Sequence, residues 1–244
     1  MPHQVIHLKA KPGDIAENVI AVGDPGRVEL LSKLLSDSRV VNTHRGFLTI
    51  TGRYKDIKVT LATHGIGGPS AAIIFEELKM LGAKRIVRIG TAGGLVKEVK
   101  IGSIVLATGA GMACNGAGLN LYAPNHCLPT SPDPVLTFKI KEKLDESNIE
   151  YHLGPVYSSD SFYAEDPELA HRLSKLGYKA IEMECATLFA LGWMRGFKTA
   201  ALLVISDNLI EEKKTFLTTM ELKEQFETLA KIVMEVFNEL GNAR

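Results

Sequence analysis

The chain has 244 residues, 45 % of them hydrophobic, with 28 Lys+Arg against 28 Asp+Glu and no polar low-complexity stretch. This composition provides for a sizeable folded core and excludes a disordered or fibrous protein; its charge balance offers no basic excess for a nucleic-acid backbone or an anionic membrane. The opening residues, Met1 to Lys9, lack a positive segment followed by an apolar one, and no apolar run approaches ~18 residues, so the expectation is a cytoplasmic protein with no membrane partner.

Taken in order, short apolar runs alternate with helical patterns. Val19–Val22 is expected as a strand, followed by a helix over Arg27–Leu35. Arg39–Lys58 reads as a hairpin-like insertion, because Phe47–Thr51 and Lys58–Ala62 flank polar turn residues around Lys55 and Asp56. A helix over Ser70–Leu81 leads to strands at Ile86–Ile89 and Ile104–Ala107. Gly109–Ser131, rich in Gly, Asn and Pro, reads as a long loop. Pro134–Asn148 is helical, Ala180–Glu184 is extended, Ala186–Arg195 is helical and Ala200–Ile205 is a strand. Glu221–Leu240 closes the chain as an amphipathic helix, with Leu222, Phe226, Leu229, Val233, Val236 and Leu240 on one stripe. This alternation implies crossover units, and hence an α/β fold with a mixed, mostly parallel central sheet flanked by helices, one domain spanning 1–244.

Four of these strands end in polar constellations, and in α/β sheets ligands bind outside the carboxyl ends of strands. After Val22 comes Gly23-Asp24-Pro25-Gly26-Arg27, a strand-to-helix turn with Asp24 as N-cap and Pro25 at the first helical position. A good cap explains Asp24 and Pro25. Arg27 needs more, because a cation in the first turn opposes the helix dipole by roughly 0.3–1 kcal/mol unless an anion offsets it. Arg88, inside the strand Ile86–Ile89, must meet either a carboxylate or an anionic ligand presented at the strand end by Gly90, Thr91 and Gly93. Gly65-Ile66-Gly67-Gly68 is either a close-approach loop for a ligand or a tight helix-sheet contact.

Glu182 and Glu184, separated by Met183, share one face of an extended segment. Sugar hydroxyls could satisfy them, and so could ion pairs to Arg27, Arg88 or a lysine. Asp207 ends the strand Ala200–Ile205, where desolvation would suit a proton donor, the alternative being a turn or cap residue. Phe162 and Tyr163 offer rings for stacking a base, or for the core. Cys114, Cys127 and Cys185 lack paired metal-ligand spacing and read as free thiols, so no metal site is expected; a subunit-bridging disulfide is the alternative. No nucleotide motif of the P-loop or dinucleotide type is present.

Together, Val22-Gly-Asp-Pro-Gly-Arg27, Thr63-His-Gly-Ile-Gly67, Arg88-Ile-Gly-Thr91, Ser159-Asp-Ser-Phe-Tyr163, Ile181-Glu-Met-Glu184 and Val204-Ile-Ser-Asp207 resemble the hexameric purine nucleoside phosphorylase and uridine phosphorylase family. The match runs in order along nearly the whole chain. The strongest likeness is to archaeal 5′-methylthioadenosine and purine nucleoside phosphorylases, through Ala62–Ser70 and Ile181–Phe189. The resemblance implies a reaction without metal or cofactor in which phosphate is the co-substrate, attacking C1′ of a purine nucleoside to give free base and pentose 1-phosphate. It implies that Gly23, Arg27, Arg88 and Thr91 hold phosphate, with Arg45 from a neighbouring subunit. It further implies that Met183 and Glu184 hold the ribose, Glu184 through the 2′ and 3′ hydroxyls, with Glu182 among the nucleoside-binding residues, that Phe162 packs on the base, His7 of a neighbour approaches the 5′ position, and Asp207 protonates purine N7. The partners implied are small-molecule nucleoside and phosphate, in a homohexamer made of three dimers.

The chain departs from the family in two places. Its purine phosphorylases commonly carry an arginine about one loop after the aspartate, whereas here the only arginine after Asp207 is Arg244; either Lys213 or Lys214 substitutes, in a stretch, Glu211–Thr219, expected to act as a gate, or Asp207 acts without help. Uridine phosphorylases carry a glutamine and arginine for the pyrimidine edge, which Phe162–Asp166 does not supply. The competing readings are a uridine phosphorylase, a nucleosidase using water, and a binding module without turnover.

Overall fold

The computed structural model describes residues 5–114, 116–163, 168–211 and 216–242. Nine strands form one sheet: β1 (Asn18–Val22), β2 (Ser36–Asn42), β3 (Thr49–Tyr54), β4 (Ile57–Thr63), β5 (Arg85–Gly94), β6 (Ile104–Met112), β7 (His152–Ser158), β8 (Ala180–Glu182) and β9 (Lys198–Asn208). Their order is β2-β3-β4-β1-β5-β8-β7-β6-β9, and β9 also pairs with β5, so the sheet curls back on itself at that end. Pairings β1–β4, β1–β5, β5–β9, β6–β7 and β7–β8 are parallel; β2–β3, β3–β4, β5–β8 and β6–β9 are antiparallel. The sheet is therefore mixed, as the sequence implies.

Among the described residues six α-helices flank it: α1 (Pro25–Ser32), α2 (Gly68–Met80), α3 (Pro134–Glu146), α4 (Leu169–Lys175), α5 (Cys185–Arg195) and α6 (Lys223–Asn242). One apolar layer forms where α2 and α5 cover one face, with Phe75, Ile74, Leu188 and Phe189 inaccessible to solvent. The other forms where α1, α3 and α6 cover the opposite face, and it takes in Leu222, Phe226, Leu229, Val233 and Val236 of the stripe read from the sequence. Burying a large aliphatic or aromatic side chain is worth about 1.5–3 kcal/mol, so these two layers fix the strand ends that carry the polar groups.

Several element boundaries differ from the sequence expectation. The helix after β1 starts at Pro25 with Asp24 as its cap, as the turn implied, Asp24 accepting a 2.9 Å hydrogen bond from Gly26 N–H, but it ends at Ser32 rather than Leu35. The insertion is a three-stranded meander, since Ser36–Asn42 adds an edge strand to the expected hairpin. The Gly109–Ser131 loop starts later, because β6 continues to Met112 through pairing with β7. The extended segment expected over Ala180–Glu184 stops at Glu182, and Glu184 becomes the residue preceding α5. Two elements, β7 and α4, were not expected at all. β7 contains Gly154 and Pro155, which interrupt the strand pattern; Pro155 is tolerated because its carbonyl still accepts from Lys179 N–H at 2.9 Å.

Candidate active site

The ends of β1, β5, β8 and β9 open onto a cavity of about 660 Å³. It is lined by Gly23, Arg27, Arg88, Thr91, Phe162, Glu182, Met183, Glu184 and Asp207, so nine of the residues singled out from the sequence meet in one place. His7 and Arg45, assigned by resemblance to a neighbouring subunit, do not line the cavity of their own chain. Arg45 lies exposed in the short turn His44–Gly46, with φ of 57°. Lys213, Lys214 and Arg244 lie outside the described residues, as do residues 212–215 of the expected gate.

Arg88 is the centre of the site's electrostatics. Its side chain rises from β5 where a Cβ at Gly90 would lie 1.6 Å from Arg88 Nη1, so glycine is the residue that lets the guanidinium lie along the strand. Nη2 donates to Glu184 Oε2 and stands 3.5 Å from Glu182 Oε2. Burial alone would lower the Arg88 pKa, but Glu184, with Cys185 and Glu182, more than offsets it and the pKa is raised. Nε and Nη1 of Arg88 are buried with no hydrogen-bond partner among the described residues. Buried donors are nearly always satisfied, so two uncommitted N–H groups on one guanidinium signal an anionic ligand.

Arg27 adds a second cation. It is buried by packing its guanidinium 5.0 Å above the Phe226 ring of α6, and its Nε, 4.0 Å from Asp24 Oδ2, has no hydrogen-bond partner among the described residues. Burial, then the nearby charge of Arg88, brings its pKa down to about 10. His64, at the end of β4, is fully buried beside these groups. Burial pushes its pKa down to about 3, so the ring is neutral; Nδ1 donates to Gly65 O at 2.8 Å and Nε2 has no hydrogen-bond partner among the described residues.

The two glutamates differ. Glu184 accepts from Arg88 at Oε2 and from Gly67 N–H at 2.6 Å at Oε1. Gly67 has φ of +84°, a backbone state that glycine adopts freely and that turns this amide onto the carboxylate. Burial would raise the Glu184 pKa, but Arg88 and the Gly67 amide hold it below the usual carboxylate value. Glu182 is consumed by the protein: Ser158 Oγ donates to it at 2.5 Å, Glu184 N–H at 2.8 Å and Cys185 N–H at 2.9 Å. It fixes the turn from β8 into α5 and thereby aims Met183 and Glu184. Glu182, expected among the nucleoside-binding residues, lines the cavity but is the brace behind Glu184, which faces the cavity with lone pairs to spare.

Asp207 reaches the cavity through a β-bulge. Register between β5 and β9 runs Ala92↔Ile205, then Gly93↔Asp207, leaving Ser206 as the extra residue. The bulge re-aims Asp207, and Ser206 Oγ donates to its Oδ1 at 2.9 Å. Gly93 opposite makes room for Leu209, since a Cβ there would lie 2.2 Å from Leu209 Cδ1. Sequence reasoning missed the apolar wall made by Ile66, Leu209 and Phe216. Phe216 is 59 % exposed and Phe162 60 %, both at the cavity rim, which suits rings that cover a flat ligand. An exposed aromatic in a polar stretch was the one signal available for Phe216.

A cleft with two uncommitted guanidinium faces, a carboxylate with free acceptor capacity, an aspartate at a bulged strand end and an aromatic rim defines a site for an anion beside a hydroxylated, ring-bearing molecule. Comparison with known proteins agrees with this class. The chain belongs to the Phosphorylase superfamily, whose match covers residues 17–240. It is 37 % identical over 235 residues to the DeoD-type purine nucleoside phosphorylase of Streptococcus suis, covering 94 % of this chain and 97 % of that one. It is 34 % identical over 204 residues to the guanosine phosphorylase of Halorubrum lacusprofundi, covering 84 % and 83 % of the two chains. Among solved structures, uridine phosphorylase from Vibrio fischeri ES114 superposes with a TM-score of 0.87 at 26 % identity, over 97 % of each chain. Purine nucleoside phosphorylase from Toxoplasma gondii in complex with immucillin-H superposes with a TM-score of 0.84 at 25 % identity, over 97 % of this chain and 99 % of that one. Among the described residues, no helix is long and apolar enough to cross a membrane.

Proposed function

We propose that this protein, with residues 1–244 as one catalytic unit, is a purine nucleoside phosphorylase. It cleaves the N-glycosidic bond with inorganic phosphate as co-substrate and needs no cofactor. The observation that carries this reading is the placement of buried, uncommitted donors of Arg27 and Arg88 in the same cavity as Glu184 and Asp207. A nucleosidase using water has no need of two cations at that position. The names of the 37 % and 34 % identical relatives support purine nucleosides as the substrates.

In this reading Arg27, Arg88, Thr91 and the Gly23 amide hold phosphate, with Arg45 of a neighbouring copy. Glu184 binds the 2′ and 3′ hydroxyls, and Met183 packs on the sugar. A phosphate oxygen attacks C1′ as the bond to N9 breaks; the bond's electron pair goes to the base, and Asp207 delivers its proton to N7. Positive charge that grows on the sugar is matched by phosphate on one side and Glu184 near the hydroxyls, so orientation and preset charge supply most of the acceleration. Phe162 and Phe216 cover the base. His7 of a neighbouring copy meets the 5′ end, which makes the working protein a homo-oligomer, a hexamer of three dimers, acting in the cytoplasm. Substrates span inosine, guanosine, adenosine and 5′-methylthioadenosine.

The test is chromatographic base release from inosine, guanosine, adenosine, 5′-methylthioadenosine and uridine, each with and without phosphate. Phosphate-dependent release from the purine nucleosides is expected. Release without phosphate would make the protein a nucleosidase, and release from uridine alone would overturn the role of Asp207.

A further inference from the structure

One buried carboxylate outside the cavity is unexplained by phosphate or sugar binding. Glu77, in the middle of α2 and 6 % exposed, gathers the N-terminal segment: Ile6 N–H and His7 N–H donate to it at 3.0 Å each, and Leu8 N–H at 2.6 Å. Leu8 beside them is fully buried and plugs the core. Three backbone donors and that plug suffice to tether the segment. A fourth bond is superfluous for tethering: His7 Nδ1 lies 2.8 Å from Glu77 Oε1. A carboxylate only accepts, so Nδ1 carries the proton and donates, and Nε2 is the ring nitrogen left for another partner. The three amides, with His7, outweigh burial and keep the Glu77 pKa lowered, so it stays an acceptor.

α2 also shows which site His7 serves. Its N-terminal end adjoins the cavity of the same chain, where Gly67 N–H meets Glu184. Glu77 stands nine residues beyond Gly68, roughly 14 Å along the helix at 1.5 Å per residue. His7 is thus held away from its own cavity, with its side chain 21 % exposed.

We propose that Glu77 is the positioning residue for His7: it fixes the imidazole as the Nδ1–H tautomer so that Nε2 accepts from the 5′-hydroxyl of a nucleoside bound in a second copy of this chain. The proposal rests on the function proposed above, and it makes Glu77 a determinant of 5′ specificity, because a 5′-methylthio or 5′-deoxy group has no proton to donate to Nε2.

The experiment compares kcat/KM of wild type, His7→Ala, Glu77→Gln and the double variant on inosine and on 5′-deoxyinosine, with the assembled mass checked for each. Each single variant should lose about tenfold on inosine, the worth of one buried hydrogen bond, and change by less than about twofold on 5′-deoxyinosine. The double variant should be no worse than His7→Ala, since both act through one contact. Equal losses on both nucleosides for Glu77→Gln would reduce Glu77 to a tether, and an unaffected Glu77→Gln beside a selective His7→Ala would remove it from the site; either overturns the proposal. A His7→Ala variant without 5′ selectivity would overturn it by refuting the role of His7, whereas absent phosphate-dependent turnover in wild type would refute the underlying activity. The imidazole ¹⁵N spectrum of the wild-type protein, with the His7 signal identified by its loss in His7→Ala, is independent of how Glu77→Gln folds. It should show Nδ1–H, and an Nε2–H tautomer overturns the proposal.

Discussion

Arg88 and Glu184 form a buried ion pair, each side chain 5 % exposed, in which the carboxylate is also held by Gly67 N–H and the guanidinium keeps two donors uncommitted. The group assigned to phosphate and the group assigned to sugar are therefore one unit. A ligand that takes hold of either end acts on a partner whose orientation is already set, so little reorganisation remains when both substrates are present.

Glu184→Gln should separate the two roles. It leaves Arg88 with Glu182 at 3.5 Å as its counter-charge, and breaking a buried pair costs about 3 kcal/mol or more. Without phosphate, denaturant titration should show that loss. Phosphate supplies a replacement anion and should stabilise the variant more than it stabilises wild type, while turnover falls by about 100-fold or more as the sugar contact is lost. Equal stabilisation of both proteins by phosphate would refute the coupling.

Asp207→Asn keeps the size of the side chain at the bulge and removes the transferable proton. Turnover of inosine should fall by about 100-fold or more, in line with general-acid catalysis, with the KM for phosphate unchanged. A nucleoside already alkylated at N7, such as 7-methylinosine, carries its positive charge before the reaction and should be spared. Equal loss on inosine and 7-methylinosine would show that Asp207 serves some purpose other than protonation.

The strand-end constellations were legible in the sequence because each consists of residues adjacent along the chain: Gly23 to Arg27 after β1, Arg88 to Thr91 on β5, Glu182 to Glu184 after β8, Asp207 on β9. Local chemistry needs only a window of a few residues. What escaped depends on distant partners. The brace role of Glu182 comes from Ser158, 24 residues earlier, and the bulge at Ser206 exists only as a register shift against β5. β7 was hidden by Gly154-Pro155, and Gly154 is explained only by Lys179, whose Cγ would lie 2.5 Å from an added Cβ. Glu77, within the helix expected over Ser70–Leu81, carries no local signal for its partners, because Ile6, His7 and Leu8 lie about 70 residues away along the chain.

Gly90→Ala should damage phosphate binding with little effect on the fold. The added Cβ would lie 1.6 Å from Arg88 Nη1 and 2.4 Å from Cζ, and the atoms in its way are the end of a flexible side chain, so the guanidinium moves and the strand stays. The KM for phosphate should rise by about tenfold or more, the loss of at least one charge-assisted hydrogen bond. An unchanged phosphate KM, with thermal stability preserved, would mean that Arg88 is not a phosphate ligand.

His64 links the site to acid stability. Its pKa is 6.5 in an unfolded chain and about 3 in the folded protein, through burial and then the cations Arg88 and Arg27, with Glu184 opposing. Between those limits the unfolded chain takes up a proton that the folded chain refuses, so stability rises with pH and falls on acidification through pH 6.5 towards 3. At about pH 5 this one imidazole should remove about 2 kcal/mol from the unfolding free energy relative to about pH 7.5. His64→Gln lacks the titrating group, while the other histidines titrate alike in both proteins and cancel. The gap between the two pH values, measured by denaturant unfolding, should therefore narrow by about 2 kcal/mol in the variant. A gap of the same size in both proteins would show that His64 is protonated in the folded state at about pH 5, which would place a third cation beside Arg27 and Arg88.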